Sequence, residues 1–294
     1  MPQSSKEFFH QPVEEVVTSR CSIRTYKPAV LPGETLRELE QYAGSLEGPF
    51  SPHVRFVFLD DEFLLSQTGG RVGTYGVIKG AKTFMAAAVE KGEKDMEQTG
   101  YLFEQLILYA TSLGLGTCWL GGTFQRSSLE KAAGVKKNEL LPAISPVGYG
   151  KKSKRLIETA MKLAARSKKR KSWQELFFQA KIGSPLQQRE AGPFSRPLEM
   201  VRLAPSALNR QPWRIVKAGA YWHFYMAYSP VINKGLGINF QRIDMGIAMC
   251  HFELSALEEG LPGSWEVHNI KPSVPGTDKL RYIATWCQAP YLST

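Results

Sequence analysis

The sequence predicts an α+β fold built as two tandem, similar halves, and three observations carry that prediction. The stretches "GYLFEQLILYATSLGLGTCW" at 100–119 and "GIAMCHFELSALEEGLPGSW" at 246–265 align without a gap at a constant offset of 146. Upstream of each, "LEQYAGSLEGPFSPHVRFVF" at 39–58 aligns with "LEMVRLAPSALNRQPWRIVK" at 198–217, again ungapped. Between the copies, "AKIGSPLQQREAGPFSRP" at 180–197 is rich in Gly, Pro and Gln, the composition of a boundary. One pair of look-alike helices carries little weight. Two pairs in the same order point to an internal duplication, with halves at 1–180 and 181–294.

Each half reads as helix, turn, strand, long helix, glycine and a short Trp-containing strand. In the second half an apolar helical pattern (Leu198, Val201, Arg202, closed by Pro205) leads into the turn "APSALNRQPW" and the strand-like "WRIV". Pro205 and Pro212 pre-set φ and remove donors, while Ser206 and Asn209 are able to bond backbone or ligand. On chemistry alone this stretch is a rigid connector or the wall of a site. The long helices carry apolar residues at helical spacing: Leu102, Leu106, Tyr109, Ala110 and Leu113 in one, Ile243, Ile247, Cys250, Leu254 and Leu257 in the other. Gly114 and Gly260 then end them. Trp119 and Trp265, kept in both copies, read as core.

With 43% apolar and 11% aromatic residues over 294 positions, the chain has material for a sizeable core. Cys21, Cys118, Cys250 and Cys287 are scattered without a CxxC pair, and the five histidines lack HxxxH spacing. Neither a metal site nor a disulfide framework is expected, and a reducing, cytoplasmic setting fits. No apolar run approaches the ~18 to 20 residues of a bilayer span, and the N-terminus lacks a signal-like apolar core. The formal charge of +10 gathers partly in "KKSKR" at 151–155 and "RSKKRKS" at 166–172. Such runs attract phosphates or form a solvated face. Nucleic acid is not the expected partner, because aromatics are not interleaved with them and no nucleic-acid-binding motif is present.

The copies differ where it matters. Arg20, Cys21, Ser22 and Arg24 cluster after the first short helix, with no counterpart before the second copy. Conversely, the first copy has "LEGPFSPHV" where the second has "PSALNRQPW", losing the Ser and Asn. Each half has what the other lacks.

The segments "SRCSIRTYKP" at 19–28, "APSALNRQPWRIV" at 204–216 and "LGLGTCWLGG" at 113–122 resemble the three signatures of the FMN-dependent nitroreductase family, in its single-chain, internally duplicated branch. The resemblance spans nearly the whole chain. It implies a nitroreductase-like α+β fold whose halves form an intrachain pseudo-dimer, so that the chain is able to act as a monomer. Family sites combine the Arg-Ser-Arg cluster of one subunit with the Pro-Ser-x-x-Asn turn of the other, which accounts for the complementary losses and implies one FMN per chain. By the same resemblance Arg20, Cys21 and Ser22 meet the phosphate and ribityl chain, with Cys21 standing where a basic residue or His is common. Lys168 and Arg170 also reach the phosphate, and Arg24 lies beside the pyrimidine edge. Leu120, Gly121 and Gly122 bring backbone to the isoalloxazine. Pro205, Ser206, Ala207 and Asn209 form the far wall, with Gln211 and Trp213 holding its shape.

The activity implied is hydride transfer from NAD(P)H through FMN to nitroaromatic, quinone or related electron-poor acceptors; the alternative is a flavin-carrying protein without reductase turnover. No Ser-His-Asp set, paired-carboxylate motif or phosphate loop competes with this reading, and a flavoenzyme needs none, since its cofactor performs the hydride chemistry. The segment "DDEFLLSQTGGRVGTYGVIKGAK" at 60–82, with Gly69, Gly70 and Gly73, reads as a gating loop or a plain connection.

Overall fold

The computed structural model describes residues 8–68, 76–151, 170–230 and 237–289. Lys168, Gly69, Gly70 and Gly73 therefore lie outside the described residues. The chain divides into two compact units: a first unit, Ser19–Lys168, and a second unit that joins Met1–Thr18 to Lys169–Thr294.

The N-terminal helix α1 (Val13–Ser19) buries Val13, Val16 and Val17. It is tied to the second unit: the Val13 N–H donates to Glu258 at 2.8 Å, and Glu14 lies 3.3 Å from Arg196. Val13 opens the helix, where N–H groups have no partner within the turn. A carboxylate there satisfies one of them.

The first unit runs α2 (Gly33–Ser45), β1 (Val54–Asp60), α3 (Asp61–Thr68), β2 (Thr83–Glu90), α4 (Asp95–Ser112), β3 (Gly116–Thr117), α5 (Arg126–Ala132) and β4 (Glu139–Gly148). Its sheet is antiparallel with order β1-β2-β4-β3, registered by Val54↔Val89, Thr83↔Val147 and Thr117↔Val147. Strand β2 is buried from Thr83 to Val89, which explains its continuous apolar "FMAAAV" in place of alternation.

The second unit contains α6 (Trp173–Leu176), β5 (Phe177–Gln179), a 3-10 segment at Gln188–Phe194, α7 (Ser195–Leu203), a 3-10 turn at Ala207–Asn209, β6 (Trp213–Ala218), β7 (Tyr221–Met226), α8 (Phe240–Glu258), β8 (Gly263–Glu266) and β9 (Arg281–Gln288). The sheet order is β5-β6-β7-β9-β8. Without β5 this is the first unit's order, element for element. Strand β5 is the addition: residues the sequence assigns to the first half pair in parallel with β6, Phe177 against Ile215. Its core is aromatic, with Trp222, Phe224, Phe252, Trp265 and Trp286 in edge and tilted contacts.

Both long helices end in the same way. Leu113 and Glu259 cap them, and Gly114 (φ 75°) and Gly260 (φ 68°) follow in the left-handed region. Leu115 N–H donates to Ala110 O and Gly114 N–H to Thr111 O; Leu261 N–H donates to Ala256 O and Gly260 N–H to Leu257 O. These are matching Schellman caps, and the left-handed position is why each is glycine. Trp119 and Trp265 are half-buried and anchored alike, each indole N–H donating at 2.7 Å to a glutamate of the preceding helix, Glu104 and Glu253.

Candidate functional site

In the first unit, residues 22–26 form an extended segment pinned on both sides. Ile23 N–H donates to Thr117 O at 2.8 Å, Tyr26 N–H to Lys79 O at 2.8 Å, and Lys79 N–H to Arg24 O at 2.9 Å. Glycine makes the close approach possible: a Cβ at Gly116 would lie 2.7 Å from Ile23 Cγ1, and one at Gly80 (φ 77°) would lie 2.5 Å from Tyr26 O. In extended backbone, residues two apart share a side, so Ile23 packs inward while Ser22 and Arg24 are exposed. The buried Cys118 thiol reads out the cluster. Burial pushes its pKa up, against the opposing pull of Arg24, a hydrogen bond from Ser22 and the charge of Arg20. Tyr26 is pushed further up, chiefly by burial.

Arg20 is held from behind. Its Nε lies 4.0 Å from Glu104, whose side chain is fully buried and also accepts from Trp119. The structure thus brings Arg20, Ser22 and Arg24 together around Cys118, with Cys21 exposed beside them. Two guanidiniums and a hydroxyl within five residues, Ser22 and Arg24 on the pinned segment and Arg20 just before it, suit a phosphate-bearing ligand, since charge-assisted bonds to anions are the strong ones.

The glycine loop following β3 is fixed by two kinds of contact. Leu120 is buried, and its N–H and C=O exchange bonds with Ile144 at 2.9 Å each, so its backbone is committed. Arg126 donates to Gly121 O at 2.6 Å and to Leu141 O, and its guanidinium stacks 4.6 Å over Phe124. Burial lowers the Arg126 pKa. With Gly121's carbonyl held, the N–H groups of Gly121 and Gly122 have no acceptor among the described residues.

In the second unit the turn between α7 and β6 is a strained, heavily bonded structure. Leu208 (φ 51°), Asn209 (φ 56°) and Gln211 (φ 48°) are all left-handed, a conformation that costs non-glycine residues roughly 1 kcal/mol or more each. The bonds that hold them there are specific. Ser206 Oγ accepts from Gln211 N–H at 2.9 Å, and the buried Gln211 side chain donates to Asn209 O at 3.0 Å and accepts from Lys171 N–H at 2.8 Å. Arg170 forks onto Asn209 Oδ1 and Leu203 O, each at 2.7 Å. Arg170 therefore stands at this turn, among the residues read as the far wall. Pro205, Ser206, Ala207 and Asn209 are all half-buried.

Sequence reasoning missed Asp244. It is buried in the first turns of α8, its Oδ1 accepts from Ala207 N–H at 2.8 Å, and its enclosed Oδ2 has no partner. Desolvation pushes its pKa up to about 8. The repeat held the signal: Gln98, its aligned position in the first copy, accepts from Phe50 N–H at 3.0 Å in the equivalent turn. Arg126 and Glu104, supports of the loop and of Arg20, were missed as well; neither lies in a motif.

Among the described residues no helix is long and apolar enough to cross a membrane. The family described as "Putative TM nitroreductase" matches residues 12–256. A crystal structure from Thermotoga maritima MSB8, described as that of a nitroreductase, superposes with a TM-score of 0.58 at 19% identity, covering 95% of this chain and 94% of that one. An FMN-dependent nitroreductase from Clostridium difficile R20291 (TM-score 0.40, 21% identity, 47% of this chain and 88% of that one) and a nitroreductase with bound FMN from Bacteroides fragilis NCTC 9343 (0.39, 22%, 48% and 89%) are more distant. No curated protein matches the sequence significantly. The match over residues 12–256, on a fold shared across almost the full length of the Thermotoga structure, places this chain in the nitroreductase family.

Proposed function

We propose that this protein is an FMN-dependent oxidoreductase that takes hydride from NAD(P)H and passes it to nitroaromatic, quinone or related electron-poor acceptors. The observation that supports the reading best is the pinned segment that leaves Ser22 and Arg24 exposed, with Arg20 just before it held by the buried Glu104. Such a set offers a dianionic phosphate both charge and hydroxyl donors. Bound FMN would supply a reversible two-electron carrier; the protein's part is to bind, orient and polarise.

In this reading the halves 1–180 and 181–294 are divergent copies that contribute to a single flavin. Arg20, Ser22 and the backbone of Cys21 hold the phosphate and ribityl chain, with Lys168 as a further phosphate contact. Arg24 is the cation beside the pyrimidine edge, where a fixed guanidinium favours the reduced form. Leu120, with its side chain in the core and its backbone groups spent on Ile144, anchors the loop that brings Gly121 and Gly122 to the ring system. Gly121 and Gly122 offer their N–H groups as donors to the ring system. Pro205, Ser206, Ala207 and Asn209 supply the second wall, and Arg170, through Asn209 Oδ1, sets the direction of that amide. The four free thiols suit a reducing cytoplasm.

A visible spectrum of the purified, FMN-supplemented protein tests the reading. Oxidised-flavin bands that bleach with NADH or NADPH under anaerobic conditions are expected. A protein that takes up no flavin refutes it; one that stays yellow under both nucleotides refutes turnover and leaves a flavin carrier.

A further inference from the structure

We propose a divalent-metal site at Glu266, His268 and Cys287, at the β8–β9 edge of the second unit's sheet. A carboxylate oxygen, a ring nitrogen and a sulfur from these residues all lie within 4.8 Å of one another. Sequence spacing hides the group, since Cys287 is far from the other two. Strand register assembles it: Glu266 is paired with Thr285, and Cys287, two residues on, shares a face with Thr285. His268 follows Glu266 by the same step of two.

The surroundings orient these groups. The His268 ring stacks on Tyr282 with centroids 6.4 Å apart, and its Nδ1 lies 3.9 Å from Glu266 Oε2. Tyr282 hydroxyl bonds Thr285 Oγ1 at 2.7 Å, and Thr285 Oγ1 bonds His223 Nδ1 at 2.8 Å. Tyr282 also ties the backbone of two of the residues, its hydroxyl accepting the His268 N–H at 3.5 Å and donating to Glu266 O at 3.4 Å.

The chemistry selects the ion. One nitrogen, one oxygen and one sulfur suit zinc or another borderline cation, and a thiolate plus a carboxylate balance its two charges. Ligand bonds of about 2.0 to 2.3 Å need donor atoms about 3 to 4 Å apart, and Glu266, the exposed member of the group, is the one free to close the remaining distance. Three protein ligands leave a fourth position for water. The site would tie His268, at the start of the 267–280 connection, to the β8–β9 pair. It lies outside the residues assigned to FMN, so its fate and that of the flavin reading are independent.

Cobalt(II) titration of the full chain, stripped of metal by chelator, provides the test. One equivalent should develop tetrahedral visible bands and a thiolate-to-cobalt charge-transfer band, and zinc should displace it. Cys287→Ser should abolish the charge-transfer band, and His268→Ala and Glu266→Gln should each weaken binding by at least about tenfold. Cys21→Ser, which removes the exposed thiol elsewhere, should keep the band. Zinc should also raise the melting temperature of the parent chain but not that of Cys287→Ser. A spectrum that stays octahedral at one equivalent, or a band that survives Cys287→Ser, overturns the proposal.

Discussion

Replacing Asp244 by Asn should make the protein less sensitive to alkaline pH, with the effect growing between pH 5 and pH 8. The carboxyl is enclosed, makes one bond through Oδ1 to Ala207 N–H at 2.8 Å, and has an unpartnered Oδ2. Its pKa rises from 3.8 to about 8 because the charged form is desolvated. The unfolded chain loses this proton near pH 4 and the folded chain keeps it to about 8, so over that window the folded state binds more protons. Stability therefore falls as pH rises through the window, by about 1.4 kcal/mol per pH unit, and levels off above the folded pKa. Asn keeps an acceptor for Ala207 and cannot ionise. It leaves a buried amide donor in place of Oδ2, a roughly pH-independent cost of about 1 to 3 kcal/mol. Urea unfolding of both proteins at pH 5, 6, 7 and 8 gives the difference in slope, from which all other titrating groups cancel. Wild type should lose several kcal/mol relative to Asp244→Asn across this range. Parallel pH profiles would show that Asp244 is ionised in the folded protein and that its burial has been misread.

Further substitutions separate binding from packing. Arg20→Ala should weaken FMN binding by about 1.5 to 3 kcal/mol, measured by flavin fluorescence on dilution, because a charged donor to the phosphate is lost. Asn209→Ala should weaken the same flavin, and Arg170→Ala should do so to a smaller extent by releasing Asn209 Oδ1 and Leu203 O; unchanged affinity in both would remove this turn from the site. Glu139 is held down to a pKa of about 2, first by its bidentate bond from Arg55. That contribution is present above the ordinary carboxylate pKa of 4.5 and lost as pH falls towards about 2, so Glu139→Gln should flatten the acid limb of stability measured by thermal melting.

Much of the fold was legible because its signals are local. Gly114 and Gly260 are required by left-handed caps, and their common offset exposed the repeat. Strand β5 was not legible: three residues become a strand because β6 offers them an edge, and that edge is set by tertiary structure. The Arg20, Ser22 and Arg24 spacing could be read from the chain, but its support could not, since Glu104 looks like one more helix residue until its burial is known. Arg170 sits in a basic run whose register the sequence leaves ambiguous; only its fork onto Asn209 and Leu203 distinguishes it from its neighbours. Asp244 and the Glu266, His268 and Cys287 group depend on burial and cross-strand register, which pattern along the chain does not carry.

The central claim is that two unequal copies make one flavin site, and the stoichiometry of FMN binding tests it most directly. The Arg-Ser-Arg cluster and the Pro-Ser-x-x-Asn turn each occur once: no such cluster precedes the second copy, and "LEGPFSPHV" in the first copy lacks the polar turn. Apoprotein titrated with FMN to saturation, with released flavin measured against protein concentration, should give one equivalent per chain. Arg20→Ala and Asn209→Ala should each weaken that same equivalent. Two equivalents would contradict the single-site account, and none would contradict the flavoprotein reading itself.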